Sequence, residues 1–203
     1  MRPRLNAADD RIFRCSSTAR MIASMRPRLN AADDAPHHAG MSRFRPTSEI
    51  RKLVIHCADT PNGRPHTAAD IDRWHGENTP PFIRRAPQGG STVFQHIGYH
   101  WVIRLSGASE VGRGIEETGA HAGPRHNADS LAVCLIGRDK FTRAQWDTLR
   151  ELVLSLRKQF PGIEITGHRD LPGVPPRTCP GFPVVKWLAG GMDPLPEHTL
   201  EEN

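Results

Sequence analysis

The chain is 203 residues long, with 37% hydrophobic and 24% charged residues, which suits one globular domain with extra segments better than two domains. Its net charge of +5 favours polyanionic surroundings such as nucleic acid, anionic lipid or anionic cell wall, without choosing among them. The basic residues are scattered and aromatics make up only 6%, which argues against a nucleic-acid binder, and no run of about 18 apolar residues exists to span a membrane.

The first forty residues stand apart. MRPRLNAADD occurs at 1–10 and again, unchanged, at 25–34. Solenoid repeats diverge and come in threes or more, so an identical pair points to a recent duplication or a misplaced start. The segment is poor in large apolar residues and lacks the apolar stretch of a secretory signal. Residues 1–40 are expected to be a disordered leader, with Met41 a candidate natural start.

The ordered pattern begins near Glu49. Lys52–Cys57 (KLVIHC) reads as a buried strand. Thr67–Glu77 reads as a helix capped by Thr67, with Ile71 and Trp74 on one face. Thr79–Thr92 is rich in Pro, Gly and Arg and is expected as a surface loop. Gly98–Arg104 (GYHWVIR) reads as a second strand, and Glu110–Gly112 as a short third. Ser130–Gly137 (SLAVCLIG) is nearly all apolar, hence a central strand covered on both faces. Thr142 and Gln145 form a capping box for a helix whose stripe is Trp146, Leu149, Val153, Leu156 and Phe160. Ile163–Thr166 is another strand and Pro183–Leu188 a last short helix. The expected fold is mixed α/β (α+β), a central mixed sheet flanked by helices, within a domain of residues 41–190. The polar stretch 191–203 is expected to be a flexible tail.

Four cysteines are present, Cys15, Cys57, Cys134 and Cys179, without the spacing of a small disulfide framework. Cys57 and Cys134 sit in apolar runs and read as plain buried thiols. Catalytic zinc takes three protein ligands and leaves one position for water. His56 ends a strand, His168 follows one in GHRD, and Cys179 lies in RTCPGF with Pro180 behind it. Each has a plainer reading as well: a hydrogen-bonded strand-end histidine, or an inert thiol. With eleven histidines in the chain, spacing alone does not decide.

The flanking words carry more. IHCADT at 55–60, IDRWH at 71–75, GYHWVIR at 98–104, GAHAGPRHNADSLAVCLIG at 119–137 and GHRDLPGVPPRTCPGF at 167–182 occur in one order. Together they resemble the type-2 N-acetylmuramoyl-L-alanine amidases, the phage amidase-type lysozymes and the peptidoglycan recognition proteins, over residues 50–188. The phage enzymes are the nearer resemblance. It implies that His56, His168 and Cys179 hold Zn²⁺ and that Tyr99 assists the reaction as a hydrogen-bond donor. His121 and Asn127 fall where the family lines its groove. His75 and His100 read as structural, because strand alternation turns His100 away from Tyr99. Two departures stand out: Arg177 replaces a lysine of the phage enzymes, and the loop before GYH is longer and is expected to rim the groove. Arginine can stabilise an oxyanion but cannot release a proton at neutral pH.

The implied reaction is hydrolysis of the amide joining N-acetylmuramic acid to L-alanine in peptidoglycan, with Tyr99 and Arg177 stabilising the oxyanion. The implied role is that of a phage or prophage endolysin. Such a protein, made in the cytoplasm without a signal peptide, would act as a monomer on the cell wall after release by a holin. A bacterial muropeptide-recycling amidase is the closest alternative. Two others belong to different classes: a non-catalytic peptidoglycan-binding module, and a phage regulator that inhibits RNA polymerase. The presence of Cys179 weighs against the binding module.

Overall fold

A computed structural model describes residues 44–84 and 89–201. The leader, and residues 85–88 of the Pro/Gly/Arg-rich loop, lie outside the described residues. The elements in chain order are β1 (Lys52–Cys57), α1 (Ala68–Glu77), β2 (Trp101–Ile103), β3 (Ser109–Val111), α2 (Pro124–Asn127), β4 (Ser130–Leu135), α3 (Arg143–Gln159), β5 (Glu164–Gly167) and α4 (Val184–Ala189). They form one five-stranded sheet in the order β3-β2-β4-β1-β5. Strand β4 runs parallel to β1 and β2, β5 is parallel to β1, and β3 pairs antiparallel with β2. The expected mixed sheet with flanking helices is the observed architecture.

Why these segments form these elements follows from their ends and their apolar spacing. Both capping boxes close: Thr67 with Asp70 on α1, and Thr142 with Gln145 on α3. Gln145 also donates through Nε2 to the carbonyls of Ile103 (3.2 Å) and Ile136 (2.8 Å), tying the start of α3 to the ends of β2 and β4. All six residues of β4 are buried, as a central strand requires.

Each sheet face has its own core. Leu53, Ile55, Trp101, Ile103, Leu131 and Val133 face Trp146, Leu149 and Val153 of α3 and Trp187 of α4. The alternate residues Val102 and Cys134 share the other face with Ala68 and Ile71 of α1. β1 and β4 are in register at His56 and Cys134, so His56 emerges on this second, α1-bearing face.

The second strand is shorter than expected. Tyr99 and His100 lie outside the regular strand but still bond toward β3: the Gly112 N–H donates to the His100 carbonyl and the Arg113 N–H to that of Tyr99. A Cβ on Gly112 would stand 2.3 Å from the Tyr99 carbonyl oxygen, so only glycine permits this approach. His100 is fully buried, accepting from the Ala132 N–H at Nδ1 and donating from Nε2 to the Glu117 carbonyl. It is structural, as the alternation implied.

Three expectations need correction. The 191–203 stretch is not a loose tail over its described part, because Met192 and Leu195 are buried in the main core. The backbone of His198 and Leu200 also pairs with Phe141. A polar average hid these two anchors. The 79–92 loop is not wholly at the surface either: Arg84 forms a bidentate ion pair with Glu117, and both side chains are fully buried. Among the described residues this loop does not rim the groove described below. Finally, the fold begins before β1. Arg45, 2% exposed, donates to the carbonyls of Asn127 (2.7 Å), Ala128 (3.0 Å) and Ser130 (2.7 Å). It thereby satisfies the last carbonyls of α2.

Arg45→Ala should therefore cost about 2–4 kcal/mol, since three buried carbonyls lose a charged donor. Urea unfolding measures it as a lower midpoint at unchanged slope. A loss below about 0.5 kcal/mol, the scale of an ordinary surface change, would contradict the anchoring role.

Candidate metal centre and its groove

Three side chains from separate segments converge near the end of β1. His56 is the fifth residue of β1, His168 opens the 3-10 turn after β5, and Cys179 follows in the loop before α4. Their ligand atoms lie within 4.8 Å of one another. His56 Nδ1 and Cys179 Sγ are 3.6 Å apart, and the His56 and His168 rings are 4.4 Å apart. The set has a burial gradient. His56 is 1% exposed, His168 is 7% exposed, and Cys179 is part-exposed.

This donor set fits a tetrahedral Zn²⁺. With Zn–S near 2.3 Å and Zn–N near 2.0–2.1 Å, neighbouring sulfur and nitrogen ligands are separated by roughly 3.6 Å. The electrostatics fit as well. Burial first, then the neighbouring His121 and His168, hold His56 well below the usual imidazole range. Burial, then Arg177, brings His168 down to about 4. Both rings are thus neutral at pH 7 and offer lone pairs. The Cys179 thiol is pushed up by its hydrogen bond with Cys57 and by burial. A divalent cation reverses that balance, because a coordinating thiol is deprotonated outright.

The cluster stands at the edge of an open groove of about 370 Å³. One wall is His121–His126 and the other is Pro172–Pro175 with Arg177, with His168 between them. His126 joins the two walls by donating from Nε2 to the Pro172 carbonyl at 3.0 Å. Arg177 is exposed on the second wall. Its Nη1 is 3.0 Å from His168 Nε2, and its Nε donates to the Pro175 carbonyl at 3.2 Å.

Tyr99 is half-buried, its ring 5.1 Å from that of His56 and 5.3 Å from that of His75. Burial pushes its phenol well above the usual value, so it stays protonated. Its ring packs on the same sheet face as Cys134, the strand neighbour of His56. His75 accepts from the Gly98 N–H at Nδ1 and braces the turn into Tyr99.

His121 lines the groove and also touches His56, their Nδ1 and Nε2 atoms 3.0 Å apart. Asn127 does not line it. Asn127 is buried, and its Oδ1 accepts from the N–H groups of His121 (3.1 Å) and Ala122 (2.9 Å). Its expected groove contact is corrected to a brace for the His121 loop. Sequence reading passed over Arg125 and His126 as groove walls, although both stand inside the GPRHN word. It also passed over Ser130, which looked like the first residue of an apolar strand.

Known proteins resemble this chain in sequence and fold. The family profile described as N-acetylmuramoyl-L-alanine amidase matches residues 46–182. The endolysin of Enterobacteria phage T3 is 32% identical over 153 residues, covering 71% of this chain and 89% of that protein. The endolysin of Klebsiella phage KP32 is 30% identical over the same shares. Among solved structures, the endolysin amidase LysCS from Clostridium intestinale URNW superposes with a TM-score of 0.56 at 22% identity, covering 78% of this chain and 94% of that one. Drosophila peptidoglycan recognition protein SD does so with a TM-score of 0.55 at 21% identity, covering 82% and 90%. The structural likenesses carry the fold alone, whereas the profile match spans most of the chain, from just before β1 through the loop that presents Cys179, and on that ground the chain belongs to the N-acetylmuramoyl-L-alanine amidase family.

Proposed function

We propose that the chain is a zinc-dependent hydrolase that cuts the amide between N-acetylmuramic acid and L-alanine in peptidoglycan, in the role of a phage or prophage endolysin. The observation that carries this reading is the convergence of His56, His168 and Cys179 at the edge of an open groove. Zn²⁺ held by them supplies Lewis-acid activation of water and of the scissile carbonyl. The groove lets a glycan strand with its peptide enter from solvent, and its two walls place the amide beside the cluster. Arg177, on the wall next to His168, offers a fixed positive charge to the carbonyl oxygen as it becomes negative. Tyr99, kept protonated by burial and with its ring 5.1 Å from that of His56, is a second candidate donor.

The test uses purified Gram-negative sacculi and, in parallel, a soluble anhydro-muropeptide. Sacculi should release free L-alanine amino groups without new reducing sugar ends. New reducing ends without amines would mean glycosidase chemistry and would overturn the reading. Turnover of the soluble muropeptide alone would retain the amidase and replace the lytic role with a recycling one.

A further inference from the structure

We infer that His121 and Ser130 are positioning residues that fix which ring nitrogen of His56 faces the metal. The assignment rests on the metal reading above.

The direction of the chain of hydrogen bonds is set at its far end. The Ser130 hydroxyl stands 2.5 Å from the His126 carbonyl, which can only accept, so the single hydroxyl proton is spent there. His121 Nε2 lies 3.3 Å from the Ser130 oxygen, and that oxygen, its own proton committed, can only accept. His121 Nε2 therefore carries a proton. In the neutral ring Nδ1 is then the acceptor, and it faces His56 Nε2 at 3.0 Å. One proton must lie between those two nitrogens, and His56 supplies it. His56 is left with a bare Nδ1, the atom that faces Cys179 Sγ at 3.6 Å.

A buried metal-binding imidazole needs such an acceptor on its far nitrogen to hold its tautomer and its ring plane. His56 is only 1% exposed, so solvent cannot serve as that acceptor. The apparatus is itself braced: Ser130 by the Arg45 bond to its carbonyl, and the His121 backbone by Asn127. Both ring nitrogens of His121 are thereby engaged, so His121 presents a ring edge to the groove but no free hydrogen-bonding atom. Its role shifts from substrate binding to ligand orientation.

Two measurements decide this. In metal-free protein without substitutions, two-bond ¹H–¹⁵N spectra should show His56 protonated at Nε2. In competition with a chromophoric chelator, His121→Leu should bind zinc about 10–100-fold more weakly than the parent. His121→Asn, which shares leucine's branched outline but carries an oxygen where Nδ1 stood, should recover most of that loss. A role in packing alone would leave the two variants alike. Parent-like zinc affinity in His121→Leu, or a His56 proton on Nδ1, overturns the inference. A parent protein that binds no zinc would instead overturn the metal reading. The tautomer would still be decided by the first measurement, as it would if His121→Leu failed to fold.

Discussion

Cys179→Ser should lose nearly all bound zinc and nearly all amidase activity, while the parent protein holds about one equivalent. The substitution leaves two neutral imidazoles and a neutral hydroxyl, so the one ligand that becomes anionic on binding is gone. The hydroxyl is also a harder and much less acidic donor than the thiol. Folding should survive, because Cys179 is part-exposed and packs only at the margin of the main core. A stability readout separates metal loss from damage. Metal at a hundredfold excess over its Kd contributes about 2.7 kcal/mol to the folded state. Chelation should thus lower the parent Tm and leave that of Cys179→Ser unmoved. Full zinc occupancy with parent activity in Cys179→Ser would remove this residue from the site.

The three candidate ligands were legible through the family resemblance of their flanking words, and local signals only agreed with it. His56 ends a β-branched run, His168 follows one, and Cys179 is followed by a proline. The capping boxes at Thr67 and Thr142 and the apolar β4 were legible from local signals alone, since propensity and periodicity act over a few residues. What escaped is held by long-range contacts between polar groups. Arg45 meets its carbonyl partners 82 to 85 residues away, and Arg84 meets Glu117 across 33. No periodicity marks a buried arginine, and composition counts it as surface. Asn127 was assigned to the groove by resemblance, and helix α2, four residues long, is too short for a helical stripe that would have marked it as buried. His121 was placed near the site by its word, but its partner His56 lies 65 residues away. The choice between touching substrate and orienting a ligand needed the geometry.

Arg177→Ala should lower kcat by about 10²-fold or more, the cost of losing one preorganised oxyanion donor. The residue departs from the lysine of the phage enzymes, so its role cannot be a proton donor's; an arginine keeps its proton at neutral pH. Its position suits a charge role. It is exposed on the groove wall, with Nη1 3.0 Å from Nε2 and 3.5 Å from Nδ1 of His168. Among the described residues one further hydrogen bond restrains it, from Nε to the Pro175 carbonyl. That contact defines the rival explanation, in which Arg177 merely braces the loop that carries Cys179. The two separate cleanly. If the charge matters, Arg177→Lys keeps much of kcat although it lacks the Nε bond to Pro175, and zinc content stays at the parent level in both variants. If the brace matters, Arg177→Lys fails along with Arg177→Ala, and both lose zinc because the Cys179 loop is loosened. Parent kcat with normal zinc in Arg177→Ala would exclude both roles and leave Arg177 as a spectator on the groove wall.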